Sequence, residues 1–304
     1  MILVAGETLI DRVTRPDGSS SDHPGGGPFN SARTIGRLGR PVRIVTVLGK
    51  DAAGERCLAD LTSSHVDTSL VRHIELPTTT AIATLDETGA ASYVFDFQTS
   101  AGRHLDVLDV PVDSSFLHVG TLALVLEPFA TAVQRAIERL PDDVALLVDP
   151  NCRPSVVIDP AAFLAHVRAA VARADVVKVS DDDIDYLQSL DPTFPGPAEI
   201  VAGGTPCVLY TRGGSGVDVM GSWGTHTVAA PRVIVADTVG AGDSLSGAFV
   251  AWLDEHNLGR SDLVDRASVV AAVEFAVRVA AITVSRSGAE PPTRDELDAF
   301  SFAD

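Results

Sequence analysis

The stretch DTVGAGDSLSG, Asp237–Gly247, places a bare turn directly before a carboxylate. Gly240, Ala241 and Gly242 make the turn, and Asp243 follows it. Leu245, Ala248, Phe249 and Trp252 then fall on one helical face, so a helix starts at or near Gly242. Glycine reaches backbone angles that bulkier residues resist, and nothing shields the amides of such a turn. Successive N–H groups can then point into one concavity at the positive end of the helix dipole, which makes an anion hole. A carboxylate beside that hole would oppose plain anion binding. It makes sense if Asp243 faces a hydroxyl that attacks a bound phosphate. A helix cap at Asp243, with glycines for packing, is the plainer alternative.

A second segment, GGGPFNSARTIGRLG, spans Gly25–Gly39. Gly25–Gly27 let a ligand approach the backbone closely. Asn30 offers both a donor and an acceptor, which suits a sugar hydroxyl, although Asn is also a good helix cap. Competing motifs are absent. There is no GxxxxGK[ST], and the glycines at 240, 242 and 247 give GxGxxxxG, not GxGxxG. The opening ILVAGETLID does not supply GxGxxG either, which argues against a nicotinamide-dependent oxidoreductase.

The chain has 304 residues, 45% hydrophobic and 21% charged, enough for a large core. A net charge of −18 argues against general nucleic-acid or anionic-membrane binding. An anionic ligand would need local devices to overcome that field. Cys57, Cys152 and Cys207 show no CxxC spacing, which argues against a disulfide framework or a zinc site and suits a reducing compartment. MILVAGETLIDR lacks a basic leader region and meets Glu7 and Asp11 early, so a cytoplasmic protein is expected. VVAAVEFAVRVAAITV is broken by Glu274 and Arg278 and reads as a buried helix, not a membrane span.

The elements that must hold these residues alternate. ILVAG, VRIVTVLG, SFLHVG, VALLVD, DVVKV and PCVLYT read as strands, with two more near Val217 and Val228. Between them lie helical patterns at Asn30–Leu38, Gly54–Leu61, about Glu127–Leu140, about Ala161–Arg173 and after Ser180. Two long helices, Gly242–Asp254 and Ser261–Thr283, close the chain. Continuous apolar strands between amphipathic helices predict an α/β fold, a doubly wound, mostly parallel sheet covered on both faces. Thr78–Gln98 breaks the alternation with period two, placing Tyr93, Phe95 and Phe97 on one face around a DETG turn. It reads as a projecting β lid over one single domain, 1–304, with the lid formed by about 8–22 and 76–101. An antiparallel edge extension of the main sheet is the alternative.

These two signature segments resemble those of the ribokinase-like (PfkB) carbohydrate kinase family. GETLID, VLGKDAAG, HVGTLALVLEP, VDPNCRP and VKVSDDDIDYL follow in that family's order, in detail most like the fructokinase branch. The resemblance implies a ribokinase-like fold and transfer of the ATP γ-phosphoryl group to a primary hydroxyl of a sugar, D-fructose giving fructose 6-phosphate. A 2-keto-3-deoxygluconate, ribose or nucleoside acceptor, or a catalytically silent sensor, are the other readings. The family pattern maps Asp243 to the catalytic base and Gly240, Ala241 and Gly242 to the anion hole. It maps Asp11, Gly26, Gly27, Asn30, Asn151 and Arg153 to the sugar; near the lid, Phe97 stands as a substrate-binding candidate where fructokinases often carry Arg, and Gly102 where an acidic residue is common. Thr211, Gly213 and Gly216 in TRGGSG match the nucleotide turn. Ser180 and Asp183 stand where Asn and Glu of a Mg²⁺-linked motif are common. Asp237, Val239, Thr283 and Gly288 match a monovalent-cation site for K⁺, near which Pro292 replaces a small polar residue. Lys178 could add positive charge near the phosphates, although a surface position is the plainer reading for one of two lysines. ATP and Mg²⁺ are the implied cofactors; Phe95 or Phe97 could instead pack a homodimer interface through the lid, or the lid's own face.

Overall fold

The computed structural model describes residues 1–14, 18–85 and 91–302. The strands among them are β1 (Ile2–Ala5), β2 (Leu9–Thr14), β3 (Ser20–Gly25), β4 (Val42–Val45), β5 (Val47–Gly49), β6 (Arg72–Ile74), β7 (Thr80–Leu85) and β8 (Ala91–Phe95). Then follow β9 (Phe116–Gly120), β10 (Ala145–Asp149), β11 (Val176–Ser180), β12 (Cys207–Thr211), β13 (Val217–Gly221) and β14 (Gly224–Val228). The helices are α1 (Gly27–Arg37), α2 (Ala52–Ser63), α3 (Phe129–Glu138), α4 (Pro160–Arg173) and α5 (Asp181–Leu190). After them come α6 (Pro197–Ala202), α7 (Ala241–Glu255), α8 (Arg266–Val284) and α9 (Arg294–Ala299).

The main sheet has eight strands in the order β14-β13-β12-β11-β10-β9-β1-β4. It is parallel from β4 to β12, and β13 and β14 add an antiparallel edge. Side chains of a strand alternate between its two faces. In β1, Ile2 and Val4 join a core with Phe29, Phe249 and Val273, and Leu3 and Ala5 join a second core with Phe129, Phe163 and Leu187. So α1, α2, α7 and α8 cover one face, and α3, α4, α5 and α6 cover the other. This is the doubly wound arrangement that the continuous apolar strands predict. The composition of α8 would allow a membrane span, yet Val269, Ala272, Val273, Ala276 and Ile282 are packed into the core.

A separate four-stranded sheet runs β3-β2-β7-β8. It draws on both segments expected to project, and it is not an extension of the main sheet. The DETG turn at 86–89 and the side chains of Tyr93 and Phe95 lie outside the described residues.

Several boundaries differ from the sequence reading. VRIVTVLG is two strands: β4 stays beside β1, and after Thr46 the chain leaves to pair β5 with β6. The break falls where β1 ends and its next amide, Gly6, bonds the Val45 carbonyl at 3.1 Å. The helix read as Ser261–Thr283 is a 3-10 turn at Arg260–Val264, then α8, because the Asp265 side chain caps the Ser268 amide and restarts the helix. The helix read from Glu127 begins at Phe129, after Pro128. The short α6 and α9 were not foreseen, since six residues carry too little periodicity to register.

The order around β1 decides where ligands can sit. The chain steps from β1 outward to β4 and later returns to β9 on the other side. The two crossings leave a crevice at the carboxyl ends of these strands, where open α/β sheets bind ligands. Both α1 and α7 begin at this end, and they pack closely because Gly247 lacks a side chain. A Cβ there would lie 2.7 Å from the Ser31 carbonyl oxygen and 3.0 Å from Thr34 Cβ. Gly247→Val is therefore expected to destabilise the fold by about 1–3 kcal/mol through overpacking. A urea unfolding midpoint equal to the parent's would show that the helices separate at no cost.

Candidate active site

Asp243 lies in the first turn of α7, just after Gly240, which caps the helix in a left-handed conformation at φ +77. Its backbone needs that glycine, since a Cβ at 240 would meet Ala289 Cβ at 2.5 Å. Asn30, in the first turn of α1, donates from Nδ2 to Asp243 Oδ2 at 2.9 Å. Ser31 Oγ donates to the Asp243 carbonyl at 3.0 Å, and the buried His118 ring stands behind it at 3.2 Å. Burial pushes the Asp243 carboxyl up to about 6. The Asn30 amide opposes that shift, Asp149 adds to it, and Lys178 and Arg153 pull against it. Asn30 Oδ1 is buried without a partner among the described groups.

Three side chains converge on the bare Cα of Gly27. A Cβ there would lie 2.5 Å from Thr121 Oγ1, 3.2 Å from Asp243 Oδ1 and 3.3 Å from Asn151 Nδ2. Asn151 Nδ2 donates to Thr121 Oγ1 at 3.2 Å. Thr121 and Asn151 follow the ends of β9 and β10 and both hold positive φ, +51 and +39. Such angles are uncommon outside glycine and persist where surroundings impose them.

Glu7 supplies much of that imposition. It is 2% exposed and directly follows Gly6 at the end of β1. One oxygen accepts the Gly27 amide at 3.0 Å, the other the Leu122 amide at 3.2 Å. Glu7 thus ties the start of α1 to the Thr121 turn. Burial pushes its carboxyl up to about 8, the two amides hold it down, and Asp243 adds to the rise. Gly26 is squeezed against the same strand end: its φ is +115, and a Cβ would lie 2.6 Å from the Glu7 carbonyl. Sequence reasoning missed Glu7 and Thr121, whose only signals are their places right after two buried strands.

Lys178 is a correction to the surface reading. It is 4% exposed and lies under the bare turn, its Nζ 2.9 Å from where a Gly242 Cβ would be. Nζ donates to Asp149 Oδ1 at 3.2 Å. Burial presses its charge down, but Asp149, Asp183 and Asp243 together hold the ammonium above its usual range. Asp183 Oδ1 accepts the Cys152 amide at 2.7 Å, and its Oδ2 accepts Ser180 N and Oγ at 2.9 and 2.7 Å. The reverse bond from the Asp183 amide to Ser180 Oγ completes a capping box. Burial acts to raise Asp183, but Lys178 and the Ser180 donors prevail and hold it below the ordinary carboxylate range.

The remaining expected residues fall around this centre. Asp11 in β2 lies against Gly25, and burial pushes it up to about 6 while Arg153 draws it back. Arg153 is exposed and donates to the Cys152 carbonyl at 3.0 Å. Thr211, Gly213 and Gly216 form a turn at the end of β12, two strands from β10, so they are not part of the cluster at Gly27. Phe97 is buried in a small apolar cluster with Leu9, Ala81, Leu122, Leu126 and Val156, which joins the small sheet to the body. Val239 is exposed, and its amide donates to Asp237 Oδ1 at 3.0 Å.

The carboxylates expected near metals are already engaged. Asp183 accepts protein donors at both oxygens, and Asp237 accepts the amides of Val239 and Gly288, each at 3.0 Å. The Thr283 and Gly288 carbonyls accept the amides of Arg286 and Glu290. Among the described residues no group of three His, Cys, Asp or Glu forms a cage. These residues therefore suit a divalent ion that keeps its water and rests on a ligand's phosphates, as Mg²⁺ does, and not one enclosed by protein.

Comparison with known proteins adds the lineage. A family model described as pfkB family carbohydrate kinase matches residues 1–296. A fructokinase of Rhizobium leguminosarum bv. trifolii is 32% identical over 85% of this chain and 81% of its own. A fructokinase of Vibrio alginolyticus is 30% identical over 98% of both chains. Among solved structures, Vibrio cholerae O395 fructokinase, bound to fructose, ADP and calcium, superposes with a TM-score of 0.85 at 27% identity over 98% of both chains. With a bare amide turn, a carboxylate beside it and that match over nearly its whole length, the chain belongs to the pfkB family of carbohydrate kinases.

Proposed function

We propose that the protein transfers the γ-phosphoryl group of ATP to a primary hydroxyl of a neutral sugar, D-fructose, giving fructose 6-phosphate. The observation that carries this reading is the crowding of Asp243, Thr121 and Asn151 around the Gly27 Cα, beside the Gly240–Gly242 turn, where the Ala241 amide makes only a long 3.4 Å bond to the Thr238 carbonyl. Similarity to two fructokinases and to a structure containing fructose and ADP supports the acceptor and the nucleotide.

Charge favours a neutral acceptor. Asp11 and Asp243 are the carboxylates beside the seat, and Arg153 is the cation whose field reaches both. A sugar carboxylate would meet more repulsion than pairing, which disfavours 2-keto-3-deoxygluconate.

Asn30 holds one oxygen of Asp243, which leaves Oδ1 to receive the acceptor hydroxyl. An alcohol resembles water, whose pKa is about 15.7, so a carboxylate near 6 cannot strip it beforehand. Early removal is not needed, because phosphoryl transfer is loose and the nucleophile bonds late. Asp243 orients the hydroxyl and takes its proton as the bond forms. The amides of Gly240–Gly242 and the charge of Lys178 lie where negative charge would gather on the migrating group. A divalent ion bound with the nucleotide would supply further neutralisation of the phosphates. The small sheet, carrying Asp11, would screen the acceptor from water, which would otherwise consume ATP.

A coupled ADP-release assay with fructose, ribose, 2-keto-3-deoxygluconate and a nucleoside tests the reading. Fructose is expected to give the highest kcat/KM. In that assay Asp243→Asn should lower kcat roughly 10²–10⁴-fold, the usual value of general-base help, with sugar KM changed less than about threefold. Tight sugar binding by the parent protein with no ADP release would leave a sensor instead.

The pH dependence has a definite sign. Only ionised Asp243 can accept the proton, and burial places its titration near about 6. Acidification through that value removes the base. So kcat should fall about tenfold per pH unit below it and level off above it. A kcat that is flat from pH 7 down to 5 would count against Asp243 as the base.

A further inference from the structure

Arg33 carries a buried charge that the mechanism above does not use. The residue is 2% exposed, and its guanidinium joins three parts of the chain. Nη1 donates to the Ala289 carbonyl at 2.9 Å. Nη2 donates to both Glu290 oxygens at 3.0 and 3.1 Å and lies 3.3 Å from Asp60 of α2. Nε reaches Ser64 Oγ at 3.4 Å, and the group stands 5.5 Å over the Phe29 ring.

The segment it grips, residues 285–290, abuts the phosphate end of the site. The Gly288 amide donates to Asp237, three residues before Gly240. Ala289 is packed so closely against Gly240 that a Cβ there would lie 2.5 Å away. On its other side, Arg33 sits one helical turn after Asn30, whose amide holds Asp243. One guanidinium thus connects the helix that orients the base to the segment that backs the bare turn.

A buried ion pair is weak support for stability, because the cost of removing charges from water roughly cancels their attraction. What the planar fork supplies is direction, two carboxylate bonds and one carbonyl bond at fixed angles. We propose that Arg33 is a positioning residue for the anion hole, holding residues 285–290 against Gly240 so that the Gly240–Gly242 amides converge on the γ-phosphoryl group; this rests on the kinase reading above.

The test compares the parent, Arg33→Met and Arg33→Lys by calorimetric titration with ADP and with a non-hydrolysable ATP analogue, alongside kcat. The γ-phosphate analogue should bind Arg33→Met at least fivefold more weakly, and ADP within twofold of the parent, at full stoichiometry. In the same variant kcat should fall tenfold or more with sugar KM within threefold. Arg33→Lys, which keeps the charge but not the fork, should recover less than half of the loss. A merely structural role would lower stoichiometry or weaken both nucleotides alike, and either result overturns the proposal. If Arg33→Met does not fold, Glu290→Gln removes one arm of the clamp at an exposed side chain. It should weaken the analogue at least twofold and ADP not at all; equal affinities for parent and variant would overturn the proposal. A parent protein without sugar-dependent ADP release would sink the kinase reading itself, whereas an active parent matched by Arg33→Met would sink only the role of Arg33.

Discussion

The bond from Asn30 to Asp243 joins residues 213 positions apart, and the rest of the site is arranged so that it can exist. It requires the first turns of α1 and α7 to meet. That meeting depends on the missing side chain at Gly247, where the helices approach within van der Waals range. Ser31 adds a second link to the Asp243 backbone, with the buried His118 from β9 behind it. A hydrogen bond to a charged group contributes about 1.5–3 kcal/mol, so this one both locates the carboxylate and helps keep the helices together.

The electrostatics follow from burial. Glu7, Asp149, Asp183 and Asp243 are drawn toward the same strand ends, and Lys178 is the cation buried among the last three. Low-dielectric surroundings raise the cost of each unpaired charge and strengthen each pairing. The outcomes diverge accordingly. Asp183, with a cation and three donors, stays ionised, whereas Glu7 and Asp243 are pushed upward. Carboxyl groups of one chemistry thus acquire different tasks: a brace, a capping group and a proton acceptor. The overall charge of −18 plays little part in this, since the groups at the strand ends answer to neighbours a few ångströms away.

Much was legible in order along the chain. Runs such as ILVA and ALLV are apolar at every position, and that pattern fits a sheet covered on both faces, which is what β1 and β10 form. The two small-residue segments could be read because a left-handed backbone angle or a close approach at a helix start favours glycine, as at Gly26 and Gly240. Where periodicity was thin, the reading failed. The strand split at Thr46 came from where a neighbour ends, and the interruption before α8 came from one capping side chain. Neither leaves a hydrophobic pattern to detect.

By itself the sequence determined the alternation of strand and helix, the two bare helix starts and the carboxylate that follows one of them. These are local properties: propensity, period and backbone freedom act over a few residues. Tertiary structure alone decided that Glu7 would clasp Gly27 and Leu122, that Thr121 and Asn151 would take strained angles facing Gly27, and that Lys178 would be buried under Gly242. Each of those depends on which strand ends lie side by side. That is set by the order of strands in the sheet, a relation between distant segments that no short stretch of chain contains.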